Sequence, residues 1–152
     1  METKYPRESM VSHSQIVMPG KTNALGNLMG GHLMYMMDMC AGMTAAKHSG
    51  RPSVTVYVSD IEFKVSIPMG NFVTVISKII WTGRTSMEIK VDAISENYKT
   101  GESITAVSAR FTFVALGEDK KPVPVPKLVP ETEEEIRLFN EHQLRVDKRK
   151  NN

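Results

Sequence analysis

The sequence predicts an α+β domain: an antiparallel, curved sheet wrapped around a long central helix, with a second helix at the C-terminus. Three observations carry that prediction. From Gly31 the residues Leu33, Met34, Tyr35, Met36, Met37, Met39 and Cys40 are apolar on every side, the mark of a helix enclosed by other structure rather than lying on a surface. The core-forming segments downstream alternate at the strand period and are joined by tight turns. The chain then ends in a capped, charged helical pattern. A long buried helix followed by a strongly twisted antiparallel sheet leads to a sheet that curls around the helix.

Taken in order, "METKYPRESM" is charged and lacks the apolar region of a secretory signal, so export is not expected. Residues Ser12–Pro19 read as a short first strand that stops at Pro19-Gly20, a strong breaker pair. A loop, Lys21–Gly30, leads into the apolar helix. The window Leu28–Ala46 approaches membrane-spanning length, yet it holds His32, Asp38 and three glycines, which favours a buried helix over a span. "SVTVYVS" (Ser53–Ser59) and "IEFKVSI" (Ile61–Ile67) are β-rich, and Pro68-Met69-Gly70-Asn71 turns the chain into "FVTVISKIIW". After the turn Thr82-Gly83-Arg84-Thr85, Met87, Ile89, Val91 and Ala93 face one side while Glu88, Lys90 and Asp92 face the other, as in a sheet with one wet face. The turn "NYKTGE" leads to a last strand whose Val107, Ala109, Phe111 and Phe113 share a face, completing a meander of three long strands. "KKPVPVPKLVP" (Lys120–Pro130) is expected as an extended linker, since each proline lacks an amide hydrogen. Thr132 and Glu135 then form a capping box for a terminal helix with acids in its first turn and bases in its last. The expected organisation is one domain over residues 1–130 followed by a C-terminal helix and basic tail over 131–152.

Nineteen lysines and arginines against 17 acidic residues leave a net charge of +2 in 152 residues, with no broad basic face for nucleic acid. Cys40 is the one cysteine, so no intramolecular disulfide forms and a cytoplasmic setting is expected. The histidines at 13, 32, 48 and 142 have no metal-ligand spacing, and no metal is expected. The conspicuous chemical feature is Asp38, a carboxylate in an apolar helix. Such a group is hydrogen-bonded, kept neutral, or used. Upstream, Gly30 and Gly31 open the helix, where free amides and the positive dipole end hold a developing negative charge; the same pair also suits close packing of helix on sheet.

The order strand, "TNALGNLMGGHLMYMMDMCAG" helix, then strands containing "IEFKVSIPMGN", "WTGRTSMEI" and "SARFTFVAL" resembles the hotdog-fold acyl-CoA thioesterases, specifically the cytosolic acyl-CoA hydrolase group, over Ser12 to Pro130. The most specific part is T-N-x-x-G-N-x-x-G-G followed seven residues later by aspartate. Ser66 and Asn71 depart from it, standing where the family usually has proline and aspartate. The resemblance implies hydrolysis of an acyl-CoA to free acid and coenzyme A, with no cofactor, coenzyme A being part of substrate and product. It also implies self-association as a dimer and, beyond it, a hexamer built as a trimer of dimers, with neither nucleic acid nor membrane as partner.

Within that reading Gly31, with Gly30 beside it, supplies amides for the thioester oxyanion. Asp38 is the general base, or a nucleophile forming an anhydride. Asn23 resembles the family's catalytic asparagine and positions water or the carbonyl, while Asn27 is expected to satisfy turn amides and His32 to be structural. Gly83, Arg84, Thr85 and Ser86 form a turn with a cation and two hydroxyls suited to the phosphates of coenzyme A. Methionines 29, 34, 36, 37, 39 and 43 fill core or line an acyl pocket. Two other functions fit the same fold: a non-catalytic acyl-CoA sensor, and a hotdog hydratase or dehydratase, the latter disfavoured by the lack of a histidine-aspartate pair in the helix. Finally, Asp38 lies seven residues beyond Gly31, ~10 Å along a helix at ~1.5 Å per residue. Two antiparallel helices about a two-fold axis bring one protomer's helix start beside its partner's aspartate.

Overall fold

The computed structural model describes residues 2–151. The chain runs β1 (Thr3–Lys4), β2 (Val11–Ile16), α1 (Gly30–Ser49), β3 (Ser53–Phe63), β4 (Phe72–Thr82), β5 (Ser86–Glu96), β6 (Ser103–Ala115), β7 (Lys127–Leu128) and α2 (Glu133–Lys150). β2, β4, β5, β6 and β3 form one antiparallel sheet in that order, and β1 pairs with β7 in parallel. β4, β5 and β6 are the expected meander.

The concave face of the sheet carries the core. Val73, Val75, Ile79, Met87, Ile89, Val91, Ala93, Val107, Ala109, Phe111 and Phe113 point at α1, and Leu33, Met37, Cys40, Ala41 and Ala45 answer them from the helix. Ala41 and Ala45 are fully enclosed, and their small side chains let the helix sit close on the strands. A buried polar stitch joins the layers: Ser77 donates to the Cys40 carbonyl at 2.9 Å, and its Oγ lies 2.6 Å from that of Thr44. Each hydroxyl is thereby satisfied in a place water does not reach. Burial pushes the Cys40 thiol up from its ordinary pKa. Among the described residues no helix is long and apolar enough to cross a membrane.

Four sequence expectations need correction. First, α1 is not enclosed on every side. Gly31, Tyr35, Asp38, Met39, Met43 and Ala46 form a stripe left open by the sheet, with Tyr35 60% exposed. Five strands reach only part of the way around the helix. Second, the two β-rich segments are one strand: β3 continues through Asp60 by means of a bulge and leaves the sheet at Lys64. Third, the outer face of the sheet is not wet around Glu88. α2 lies across it, leaving Glu88 3% exposed beside the equally buried His142. Ile80, Trp81 and Leu138 make a second apolar cluster there, and Trp81 donates its indole N–H to Gln143 at 2.9 Å.

Fourth, the proline-rich segment is a strap and not a free linker. Prolines 122, 124 and 126 have no amide hydrogen, but the valines between them do, and those donate inward: Val123 to the Ala115 carbonyl and Val125 to the Arg84 carbonyl. His48 Nε2 donates to the Pro126 carbonyl at 2.7 Å, tying the strap to the C-terminal end of α1. The terminal helix is as expected: Thr132 accepts from the Glu135 amide, and Glu135 reaches back to the Thr132 amide.

The polar contacts beneath α2 predict a pH-dependent stability. Burial, followed by the nearby positive charge of Arg110, lowers the His142 pKa from 6.5 to about 4. The unfolded chain therefore binds a proton that the folded one refuses, so this contribution is complete above pH 6.5 and is lost as pH falls toward 4. Burial shifts Glu88 the other way, upward, so it must be cancelled by comparing two proteins that both contain it. Urea midpoints between pH 4 and 6.5 should rise more steeply for the wild type than for His142→Gln. Equal slopes would show that His142 does not set the dependence.

Candidate active site

The loop between β2 and α1 is organised by Asn23. Its Oδ1 accepts from the Leu25 and Asn27 amides at 3.0 and 3.2 Å, and its own N–H donates to the Asn27 carbonyl at 2.8 Å. Gly26 completes the turn at φ +80°, a conformation that L side chains rarely adopt. Sequence reasoning assigned the turn-satisfying side chain to Asn27; the structure gives it to Asn23. With its carbonyl oxygen committed to the loop, Asn23 presents its amide nitrogen as the free donor. The loop is anchored from below, where Leu28 donates to Ile67 and Met69 donates to Gly26. Asn71, at the turn that follows, gives its side-chain amide to Ser95 at 3.1 Å.

α1 opens at Gly30 with Met29 at its N-cap and no side-chain cap, so its first amides are unspent. The structure also discriminates between the two uses of the glycine pair. A Cβ at Gly31 would meet nothing within 4 Å, and one at Gly30 would meet only the Phe63 ring at 3.6 Å. The chain's own packing therefore does not demand glycine at Gly31. His32 is half-buried, its ring 6.1 Å from that of Tyr35.

Asp38 emerges on the open stripe of α1, so a single chain does not supply the apolar burial expected for it. Its partner is one that sequence reasoning missed: Thr55 of β3 donates its hydroxyl to Asp38 Oδ1 at 2.6 Å. Thr55 was visible only as one of several hydroxyls in a β-rich run. The pairing is tertiary, created by laying β3 along α1, and no local pattern announces it. A hydroxyl donating to one carboxylate oxygen fixes the carboxyl plane and leaves the other oxygen to act on a ligand.

Between α1 and edge strand β2 runs a groove of about 340 Å³ whose walls include His32, Tyr35, Met36, Met39 and Met43. Of the six methionines around α1, Met36 and Met37 are core, and Met36 also reaches the groove wall. The Gly83–Ser86 turn lies elsewhere. Arg84 and Thr85 accept from Val125 and Ala115, next to the strap that His48 binds, which puts the turn at the C-terminal end of α1. Gly83 is required there: a Cβ would come within 2.9 Å of the Trp81 ring. One chain thus gathers Asn23, Gly30 and Gly31 at the start of α1, Asp38 with Thr55 just short of its middle, and Arg84 at its far end.

Comparison with known proteins adds a family to this geometry. The model of the thioesterase superfamily matches residues 25–102. The uncharacterized acyl-CoA thioester hydrolase YkhA of Bacillus subtilis is 42% identical over 150 residues, covering 99% of this chain and 87% of its own. Among solved structures, an apo-hexameric acyl-CoA thioesterase superposes with a TM-score of 0.95 at 35% identity, over 99% of this chain and 97% of the other. Acyl-CoA hydrolase from Staphylococcus aureus, solved with butyryl coenzyme A and coenzyme A, superposes with a TM-score of 0.90 at 30% identity, over 97% and 90%. That enzyme has also been solved with alanine replacing an asparagine, an aspartate and a threonine, at the same mutual spacing as Asn23, Asp38 and Thr55. Matched over more than half its length by the family model and over nearly all of it by a close relative, the chain belongs to the thioesterase superfamily.

Proposed function

We propose that this chain is an acyl-CoA thioester hydrolase whose catalytic sites are completed by a second copy of itself. The observation that carries the composite site is the separation of its parts. The helix start and Asp38 lie ~10 Å apart along one rigid helix, too far to act on one carbon. Both lie on the open stripe of α1, and beside that stripe runs β3, an edge strand exposing Val54, Val56, Tyr57, Ile61 and Phe63. The Thr55–Asp38 hydrogen bond and the shared cavity lined by Gly30 and Phe63 join the two surfaces into one apolar face. A second copy placed by a two-fold axis covers that face, sets one Gly31 amide against the partner's Asp38, and carries the partner's Arg84 turn toward the helix start. The hexameric relative supports a further step of assembly, three such dimers to a particle. A single cysteine fits a cytoplasmic setting.

In the composite site the thioester carbonyl points at the Gly31 amide, where the free N–H and the helix dipole stabilise the oxyanion. Asp38, held by Thr55, takes a proton from water as the oxygen bonds to the carbonyl carbon. Asn23 orients the water or the carbonyl through its amide nitrogen. Collapse of the tetrahedral species breaks the carbon–sulfur bond, and the leaving thiolate takes the proton held by Asp38, which gives coenzyme A and the free acid and restores the carboxylate. Arg84, Thr85 and Ser86 hold the phosphates, a charge-assisted grip far from the chemistry. No cofactor enters these steps.

An acyl-CoA panel with free thiol as readout tests the activity, and binding without thiol release would identify a sensor instead. Asp38→Asn should cost at least ~10²-fold in kcat with coenzyme A still bound, the scale of a lost general base; wild-type turnover in the folded variant removes Asp38 from the mechanism. Arg84→Ala should raise KM for every acyl-CoA with kcat nearly unchanged, since a remote grip contributes uniform binding. An unchanged KM would take Arg84 out of the site. For the shared site, Asn23→Ala and Asp38→Ala proteins are unfolded together and refolded. Half the dimers are then mixed and each mixed dimer holds one intact site, so activity should return to about a quarter of wild type. No recovery in mass-verified heterodimers would place both residues in one chain's site.

A further inference from the structure

A closed ring of four charges lies on the opposite side of β3 from the partner-facing edge. Asp60 Oδ2 is 2.8 Å from Arg145 Nη1, Arg145 Nη2 is 2.8 Å from Glu141 Oε1, Glu141 Oε1 is 3.2 Å from Arg110 Nη2, and Arg110 Nε is 3.8 Å from Asp60 Oδ2. Three elements contribute: Asp60 comes from β3, Arg110 from β6, and Glu141 with Arg145 from successive turns of α2. Arg110 is buried, and its Nη1 has no hydrogen-bond partner among the described residues. Alternating signs around a ring, with one member desolvated, make a firmer contact than any of its exposed pairs alone. Glu88 of β5 and His142 of α2 lie under the same helix face.

The ring closes on an unusual piece of backbone. Asp60 has φ +53°, one of two non-glycine residues with positive φ among those described. Aspartate tolerates this region better than most residues, yet the conformation still needs support. Asp60 also sits in the register shift between Ser59 and Glu62, where β3 carries an extra residue relative to β6. A second shift, between Thr55 and Tyr57, follows directly on the residue that holds Asp38. Only Tyr57, Val58 and Ser59 pair with β6 between the two bulges. β3 is an edge strand, so within the chain β6 is its sole strand partner, and a one-residue slip would turn Thr55 away from α1.

We propose that Asp60, Arg145, Glu141 and Arg110 are positioning residues, through which the C-terminal helix fixes the bulged register of β3 and so holds the Thr55 hydroxyl on Asp38. This rests on the catalytic reading of Asp38 given above. The Arg145 guanidinium, through its hydrogen bond, holds the Asp60 carboxyl below the usual carboxylate range, as a persistent pair requires. α2 is thus a part of the catalytic apparatus that touches no reacting atom.

The experiment is a double-variant cycle on the full-length protein, using Arg145→Met, which leaves the sequence of β3 intact, and Thr55→Val. Arg145→Met alone should lower kcat by at least ~5-fold with KM and the melting profile little changed, within the range that misplacement of a catalytic group produces. The Arg145→Met/Thr55→Val protein should be no slower than Thr55→Val alone, because both lesions remove the same hydrogen bond. Asp60→Gly keeps the positive φ without the carboxylate and should behave as Arg145→Met does, whereas Asp60→Asn, which retains an acceptor, should recover part of kcat. Multiplicative losses in the double variant, or full kcat in both Arg145→Met and Asp60→Gly, would overturn the inference. A Thr55→Val protein with wild-type kcat would instead overturn the reading of the Thr55–Asp38 pair, and is distinguishable because it needs no variant in the ring.

Discussion

The architecture depends on one geometric shortfall: five strands cannot close around a helix. The sheet buries the α1 face that carries Leu33, Met37, Cys40 and Ala41, and the remaining stripe keeps its apolar character with nothing among the described residues to cover it. An isolated apolar residue on a surface needs no explanation, but a continuous run along a helix joined to an apolar edge strand does. The carboxylate stands in that stripe, and so do the unspent amides of the helix start. The groups proposed for catalysis thus stand where the chain's own fold leaves its helix uncovered, which is the ground for proposing that a second copy completes the site.

Much of the fold was legible in the sequence because its determinants are local. The alternation of Met87, Ile89, Val91 and Ala93, the turn residues at Gly83 and Gly70, and the Thr132–Glu135 box each act over a few residues, and each element formed where it was expected. Longer-range events were not legible. Glu88 alternates as a solvent-facing residue should, and only the path of α2 across the sheet buries it. Asp60 looks like a strand breaker, yet a bulge absorbs it and β3 runs on. The valines of the proline-rich strap could not be told from linker residues, because what fixes them is the position of the Ala115 and Arg84 carbonyls.

The site divides in the same way. Asn23, Gly30, Gly31 and Asp38 stand within one contiguous motif, so a single sequence displays them together. Thr55 does not belong to that motif; it reaches Asp38 only because β3 packs along α1. The turn-satisfying side chain is that of Asn23 and not Asn27 for a related reason. Both are good turn formers, and which one turns its oxygen inward is decided by the path of the loop over Ile67 and Met69. The openness of Asp38 was hidden too, since an apolar sequence around a residue does not say whether its own chain or another will cover it.

The buried thiol of Cys40 bears on chemical durability. A thioesterase releases a thiol at every turnover, and thiols in the presence of oxidant give disulfides that exchange with any accessible thiolate. Cys40 is 2% exposed and burial keeps it in the protonated form, which is the unreactive one. The protein therefore carries its sulfur through repeated encounters with its own leaving group without becoming covalently tethered to it.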